Sequence, residues 1–362
     1  MTDLVDAREG AVGLRLPAAP TQRGPAPRRP VFYNAAMALD RDLNVALVRA
    51  AFGPRGDRRG AELFAATGVR GLRLLAETGS FRTFVLMDRH PMAVATLAAN
   101  AAPFGPEGAR VVRADAHRSP LVDGLDYLDL DPYGSPREFL EPALARVAVG
   151  GLIGVTATDL QVLCGVLRGA CLRRYGAVPV RGRLAPEGGL RILLALLARL
   201  ARARDRRICP IAAYVHDHHL RAVVRVTGPA DGEDPVGTID PATFAGPPLP
   251  PGGPYGPLWT GPLFDVATVH RMVTPLEAAR PREAAQWIGR FQEEAGVDAP
   301  FYYEPNEIAR RLHLASPIGP DRFIAGLRSA GYPAARTHVR EGAFRSPAPW
   351  TAVAALAGGP PR

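Results

Sequence analysis

The feature that most constrains the fold is a regular alternation along the middle of the chain. Between residues 61 and 226, short runs that favour β-structure alternate with longer amphipathic segments. This alternation is typical of a parallel sheet whose connections are helices packed on its faces. The pattern predicts strands at residues 61–65, 83–87, 110–113, 127–130 and 152–155, and its clearest helices at residues 91–101 and 188–203.

Two further apolar runs, residues 208–215 and 220–227, are joined by Asp217 and His218 and predict an antiparallel pair at the end of the sheet. A parallel sheet finished by a hairpin is the outline of the class I S-adenosylmethionine-dependent methyltransferase fold, an α/β fold. It contrasts with the fully parallel sheet that binds dinucleotides. The chain also lacks the G-x-G-x-x-G spacing, which disfavours a nicotinamide dehydrogenase.

Acidic residues follow three consecutive predicted strands. The first strand leads into a turn of small residues in which Gly68 lets the backbone approach a ligand. Asp88 ends the second strand, where a carboxylate can bind ribose hydroxyls, and Asp115-Ala116 follows the third, where it can accept from an adenine amine. Asp131 follows the fourth. Each acid alone is also explained as a cap or turn residue, but the series predicts an adenosine-type ligand beside a reacting group.

Asp131 opens the tetrapeptide Asp131-Pro132-Tyr133-Gly134, directly after the apolar run 125–130. The exocyclic amine of a nucleobase is a poor nucleophile because its lone pair is delocalised into the ring. A carboxylate that accepts its hydrogen bonds returns electron density to nitrogen, and an aromatic ring can stack on the base. The tetrapeptide is also a common turn sequence. Its place after the acidic series favours Asp131, Pro132 and Tyr133 as catalytic residues.

The charge balance indicates a polyanionic partner. All 44 basic residues are arginine and the formal net charge is +9, which favours phosphate contacts and excludes a catalytic lysine. Three cysteines are too few and too widely spaced for a disulfide framework or a CxxC zinc pair. With no signal peptide or membrane span expected, these features predict a cytoplasmic protein without membrane association.

The composition changes after residue 228. The Pro- and Gly-rich stretch 229–257 is not expected to form a regular element and is interpreted as a linker. We expect a flexible N-terminal segment with a short strand at 1–29, mobile up to about residue 8 and at 21–29, then the main domain at 30–228. A smaller α+β domain at 258–350, with helices at 283–295, 304–312 and 321–330, and a tail at 351–362 complete the prediction.

With these residues in place, the chain resembles the tRNA guanine-26 N2-dimethyltransferase family over nearly its whole length. The matching motifs are REG at 8–10, LRLP at 14–17, PVFYN at 30–34, Met37, RD at 41–42, TGVRGLR at 67–73, DLDPYGSP at 129–136, VTATD at 155–159, LCG at 163–165, CLRRY at 171–175, GLRIL at 189–193, DH at 217–218, GPLW at 256–259, GPL at 261–263 and ARTH at 335–338.

The resemblance implies transfer of one or two methyl groups from S-adenosylmethionine to N2 of guanosine 26 in tRNA, with the second domain binding the RNA. It places cofactor contacts at Arg41, Arg70, Asp88, Asp115 and Ala116. Arg41 is expected in a loop ahead of the sheet, from which it could reach the methionine carboxylate.

Some alternatives stay open. Spacing does not choose between Arg70 and Arg73 as the cofactor arginine. Another guanosine, such as position 27, or a tRNA-binding relative without catalysis would also carry much of the pattern. The chain departs from relatives that have two CxxC pairs between the domains, so no structural zinc is expected. This chain also has Pro186-Glu187 where relatives have a His-Glu pair, and it has His219 where they have an aromatic residue. No obligate protein partner is indicated.

Overall fold

The computed structural model describes residues 4–17, 31–119, 121–229 and 231–358. The strands are β1 (Leu4–Glu9), β2 (Val12–Pro17), β3 (Arg58–Glu62), β4 (Phe81–Asp88), β5 (Ala109–Arg113), β6 (Leu125–Leu130), β7 (Val147–Ala157), β8 (Arg207–His216), β9 (His219–Thr227), β10 (Val236–Ile239), β11 (Tyr255–Trp259), β12 (Ala335–Arg336) and β13 (Phe344–Arg345).

The helices are α1 (Ala38–Phe52), α2 (Val69–Thr78), α3 (Pro91–Ala101), α4 (Gly105–Gly108), α5 (Arg137–Arg146), α6 (Leu160–Leu163), α7 (Arg168–Tyr175), α8 (Ala185–Arg202), α9 (Val266–His270), α10 (Pro281–Ala295), α11 (Pro305–Arg311), α12 (Pro320–Ser329) and α13 (Trp350–Leu356). None of these helices, within the described ranges, is long and apolar enough to cross a membrane.

Seven strands form one sheet in the order β5-β4-β3-β6-β7-β9-β8. The pairs β3/β4, β4/β5, β3/β6 and β6/β7 are parallel, and the order reverses at β3 and β6. The predicted parallel sheet ending in a hairpin is therefore confirmed. The inner strands are buried on both faces, as the complete burial of the consecutive residues Leu152 and Ile153 on β7 shows, because helices cover a parallel sheet on both sides.

The first strand of the sheet starts three residues earlier than the apolar pattern predicts. β3 runs from Arg58 to Glu62 and pairs with β4 from Arg58↔Phe81 to Glu62↔Leu86. Arg58 and Arg59 are only half-buried at the edge of the hydrophobic core. Because these two residues are charged, the apolar pattern of the sequence does not show where the strand begins. The predicted helix at residues 91–101 matches α3 in both bounds.

The chain forms two compact units. The first contains the described residues up to Thr156, with Val223–Gly228 and His270–Ile288, and the second contains Ala157–Ala222 and the described parts of Pro229–Val269 and Gly289–Arg362. The predicted functional boundaries at residues 228, 257 and 350 stay predictions.

Three local expectations differ from the structure. Residues 4–8, expected to be mobile, belong to β1, which pairs with β2 from Leu4↔Pro17 to Glu9↔Val12; residues 21–29 lie outside the described residues. The expected linker 229–257 contains β10 and the start of β11, which pair with an irregularity between Gly237 and Ile239. Pro and Gly weaken a strand in isolation, but here they shape the turns between two short segments that pair across the stretch.

The expected tail from residue 351 is instead mostly α13. Val353 on this helix is completely buried in a core that also includes Phe323 and Phe344. The rings of Tyr303, Phe344 and Phe323 stack in sequence, with centroid separations of 5.5 and 5.2 Å. A short apolar segment near a chain end is difficult to tell from a tail when its packing partners lie elsewhere in the sequence.

A buried network of ion pairs lies inside the second unit. The Nη1 and Nη2 atoms of Arg345 donate to Glu187 at 2.8 and 3.0 Å, and its Nε donates to Glu294 at 2.8 Å. Arg191 Nε also donates to Glu187, at 2.7 Å. Glu294 in turn lies 2.7 Å from Nδ1 of His338. Buried charges are tolerated only when they are paired. Removal of one member of this network would therefore leave another buried charge short of a partner.

Candidate active site

The predicted catalytic carboxylate lies where the sheet ends. Asp131 directly follows β6, and its side chain keeps 27% of its surface exposed. Nη2 of Arg70, in the first turn of α2, donates to Asp131 Oδ2 at 2.8 Å. Ligands of open α/β sheets bind beyond the carboxyl ends of the strands. Asp131 is therefore both accessible and held in one orientation.

Arg70 is surrounded by carboxylates. Its Nη1 donates to Asp40 on α1 at 3.0 Å, and its Nε lies 3.7 Å from Asp129 and 3.9 Å from Glu62. The Arg70 side chain is 5% exposed. Burial would lower its pKa, but Asp129 and the other carboxylates raise it well above the usual value. One guanidinium thus faces four carboxyl groups, and the cluster is short of positive charge.

Glu62 at the end of β3 relieves part of this imbalance. Burial and the nearby Asp129 carboxylate raise the pKa of Glu62 to about 8, although Arg70 acts in the opposite direction. Its Oε2 accepts the Gly71 N–H at 3.1 Å. Asp129 is bonded by the hydroxyl of Tyr127. At neutral pH the cluster therefore holds Glu62 as a neutral acid.

Arg41 was expected in a loop, and that expectation is wrong: it lies in the first turns of α1. The helix follows from Leu39, Leu43 and Leu47, which repeat at four-residue spacing and are buried. The guanidinium of Arg41 donates to both oxygens of Glu9, from Nε at 2.6 Å and from Nη2 at 2.5 Å. In the described structure Arg41 is thus bound to the end of β1.

The structure separates Arg73 from the site. Its side chain is completely buried and forms ion pairs with Glu9 at 3.1 Å, Asp42 at 2.7 Å and Glu77 at 2.7 Å. Arg70, one helical turn earlier, is the arginine that contacts Asp131. The two side chains leave α2 toward different neighbours, which favours Arg70 as the cofactor arginine; that contact stays a prediction.

The loop between β3 and α2 is tightly built. Gly68 has φ +78°, and a Cβ on it would lie 2.4 Å from Cδ1 of Leu97. Asp88 organises the same loop, since its two oxygens accept the backbone N–H groups of Ala66 at 3.1 Å and His90 at 2.9 Å. The backbone around Ala66 and Gly68 thus forms a concave turn, called here the backbone cradle, at the ends of β3 and β4.

Asp115 and Ala116 lie beyond the end of β5. The Asp115 carboxylate accepts the His117 N–H at 2.9 Å, and its neighbour across the strand ends is Arg89, at 3.7 Å. The ring of His117 packs against Phe139, with centroids 4.7 Å apart. His117 and Phe139 were not predicted as site residues, since an exposed histidine and a helical phenylalanine carry no motif.

An aromatic pair includes Tyr133, two residues after Asp131. Tyr133 is 56% exposed, and its ring meets that of Phe32 edge to face at a centroid distance of 5.3 Å. Pro132, between Asp131 and Tyr133, is buried. Phe32 was part of a recognised motif but not of the predicted site. Only folding reveals the pair, because 101 residue positions separate the two rings along the chain.

The donor set fits S-adenosylmethionine. An excess of carboxylates around Arg70 suits a ligand that carries a cationic sulfonium and ammonium group, and Asp88 beside the Gly68 cradle suits a ribose. Across the described parts of the chain, no group of three or more His, Cys, Asp or Glu side chains is placed to hold a metal ion.

The fold and site define a class I S-adenosylmethionine-dependent methyltransferase. Residues 18–238 and 252–357 match the model of the family described as N2,N2-dimethylguanosine tRNA methyltransferase. The chain belongs to this family, and the resemblance inferred from its motifs is confirmed.

Individual relatives agree along nearly the full length. A protein of Thermococcus kodakarensis called tRNA (guanine(26)-N(2))-dimethyltransferase is 34% identical over 386 residues, covering 97% of this chain and 98% of its own. One of the same name from Pyrobaculum arsenaticum is 34% identical over 356 residues, covering 96% of each. The solved structure of Trm1 from Pyrococcus horikoshii with S-adenosyl-L-methionine is similar at a TM-score of 0.84 and 31% identity, over 98% of this chain and 99% of that one.

Proposed function

We propose that this protein methylates the exocyclic N2 of guanosine 26 in tRNA, with S-adenosylmethionine as the methyl donor, and that Asp131 orients the reacting amine. The observation that supports Asp131 most directly is its position: a partly exposed carboxylate at the end of β6, fixed by Arg70 at 2.8 Å and bordered by the ring of Tyr133. The substrate is the one after which the family and its relatives are named.

Asp131 provides the chemistry that a guanine amine needs. Its carboxylate accepts hydrogen bonds from the N1 and N2 hydrogens, which keeps electron density on N2 and holds it in line with the methyl group. When bound, S-adenosylmethionine supplies that methyl group from a sulfonium centre. As the N2–methyl bond formed, the sulfur–methyl bond would break with its electron pair left on sulfur, and the surplus proton of N2 would leave through Asp131 to water. The residues form no covalent bond to the base.

The rings beside Asp131 hold the base itself. Tyr133 presents a face for stacking, and Phe32 supports that ring from its edge. The carbonyl of Pro132 adds a backbone acceptor. A base inside a folded tRNA has to leave its stack to reach this position, and stacking on an aromatic ring offsets part of that cost.

The cofactor-binding roles follow the strand ends. Asp88 would accept the ribose hydroxyls, while Asp115 and Ala116 would contact the adenine. Arg70 and Arg41 remain the proposed partners of the methionine end. Arg41 would have to share its guanidinium between Glu9 and the ligand, because Glu9 already accepts two of its hydrogen bonds.

Arg70 has a second role, as the positioning residue for Asp131. Its other guanidinium nitrogen is anchored by Asp40, which is completely buried on α1. The bond to Asp131 therefore comes from a guanidinium that cannot rotate freely. A charge-assisted bond of this kind restricts the carboxylate to one rotamer before the base arrives.

The test is Asp131→Asn, with Asp123→Asn on the surface as the matched control. Both variants and the wild type are incubated with a tRNA transcript and cofactor, and the nucleosides are quantified by mass spectrometry with the modified position mapped. We expect Asp131→Asn to lower kcat by about 10²–10³-fold and to leave the Kd for S-adenosylmethionine within about threefold of wild type.

Full activity in Asp131→Asn would remove Asp131 from the mechanism. Methylation by the wild type at a guanosine other than 26, or the absence of N2-methylguanosine, would overturn the proposed substrate. The Asp123→Asn control should behave as the wild type.

A further inference from the structure

One region of the second unit has an unusually one-sided charge. Residues 160–186 contain five arginines and neither aspartate nor glutamate. The region includes α6, the whole of α7 and the chain that leads into α8. Charged residues usually alternate in sign on a solvated helix face, and here they do not.

Two of these arginines form ion pairs, whereas Arg168, Arg173 and Arg181 form none with the residues that the structure describes. Arg174 lies 3.6 Å from Asp159, and Arg183 lies 3.7 Å from Glu304. Arg168 and Arg173 on α7 are exposed, and neither forms an ion pair with any residue of the described ranges. Their positive charge is therefore available to a partner.

Apolar side chains lie between the arginines. Val166 is 71% exposed, Leu167 48% and Leu172 54%. Single exposed apolar residues are common on protein surfaces, but three within seven residues form a patch. An exposed apolar patch commonly marks a binding surface.

Two glycines allow the side chains of Arg181 and Arg173 to lie close to the backbone of this region. The stem of Arg181 passes over Gly165, since a Cβ on Gly165 would lie 2.9 Å from Arg181 Cγ. The guanidinium of Arg173 folds back over Gly169, whose Cβ would lie 3.3 Å from Arg173 Nη1. The absence of side chains at these glycines leaves the backbone and the arginine groups close together.

We propose that this α7 surface, made of Val166, Leu167, Arg168, Leu172, Arg173 and Arg181, binds the sugar-phosphate backbone of the tRNA substrate. The inference rests on the proposed function for the identity of the RNA. Unpaired guanidinium groups without a nearby acid complement phosphates. The apolar side chains between them suit the less polar faces of ribose and unstacked bases. A protein partner would be expected to offer acids, and is an alternative outcome of the test.

The test is the double variant Arg168→Gln/Arg173→Gln, with Arg55→Gln/Arg82→Gln as the control. The control removes the same net charge from two other exposed arginines. Binding of a fluorescent tRNA is measured by anisotropy at several salt concentrations, together with the Kd for S-adenosylmethionine. We expect tRNA binding by the double variant to weaken about tenfold, and the log–log salt slope to fall by about one for each lost phosphate contact.

Leu172→Ser tests the apolar part of the surface. It should weaken tRNA binding about threefold without changing the salt slope, because an apolar contact releases no counterions. Together, the two slopes distinguish a phosphate contact from general loss of structure.

Equal tRNA affinity and equal salt slopes in the double variant, the control and the wild type would overturn the proposal. A double variant that binds tRNA normally but loses a co-purified protein would also overturn it. Failure of the proposed function is a separate result: it is the absence of guanosine 26 methylation by the wild type, whatever the double variant binds.

Discussion

The replacement of Glu62 by glutamine tests the charge balance of the active-site cluster. Glu62 is buried beside Asp129 and Arg70, and its pKa is raised to about 8. Glutamine is neutral at every pH and keeps an oxygen that can accept the Gly71 N–H, now bonded at 3.1 Å. The variant therefore imitates the protonated acid and removes only its ionisation.

The magnitude follows from proton linkage. The unfolded chain releases this proton near pH 4.3, whereas the folded chain keeps it until about pH 8. Between these values the folded state binds one more proton than the unfolded state. The free energy of unfolding of the wild type then falls with rising pH, by about 1.4 kcal/mol per pH unit from this group alone.

Glu62→Gln lacks this dependence, so its stability relative to wild type should rise by about 2 kcal/mol between pH 6 and pH 8, because the slope halves as the pH reaches the folded pKa. The assay is urea unfolding of both proteins at pH 6, 7 and 8, with Glu107→Gln on the surface as the control. The stability of the control relative to wild type should not change with pH. If the curves of wild type and Glu62→Gln run parallel over this range, Glu62 is ionised in the folded chain and the reasoning is refuted.

Two further substitutions test the framework around the sites. Gly68→Ala should destabilise the protein by about 1–3 kcal/mol, because Gly68 has φ +78° and the new Cβ would press on Leu97. An unchanged urea midpoint would contradict the tight packing inferred at Gly68. Glu294→Gln should cost about 3–5 kcal/mol, since it leaves the buried Arg345 short of one carboxylate. Burial alone would raise the pKa of Glu294, but His338 and Arg345 hold it below its usual range. Glu294 is therefore charged at pH 7, and urea unfolding at that pH measures the loss of its charge. A midpoint equal to that of the wild type would contradict this prediction.

The site was partly predictable from local patterns. Asp88, Asp115 and Asp131 were predicted as site residues because each follows an apolar run, and the ends of parallel strands gather at one edge of a sheet; their roles stay predictions. Phe32 was not recognised as a site residue, because its contact with Tyr133 joins segments far apart in sequence. The helical position of Arg41 was not predicted, although Leu39, Leu43 and Leu47 repeat at helical spacing around it.

The sequence by itself determined the alternation of strands and helices, the acidic strand ends and the family motifs, since these depend on periodicity and short spacing. Tertiary structure alone decided which charges meet. Arg70 and Arg73 are three positions apart on α2, yet one contacts Asp131 and the other contacts Glu9. The partners of a buried ion come from elements distant in the chain, and a low-dielectric interior makes the choice among them costly to alter.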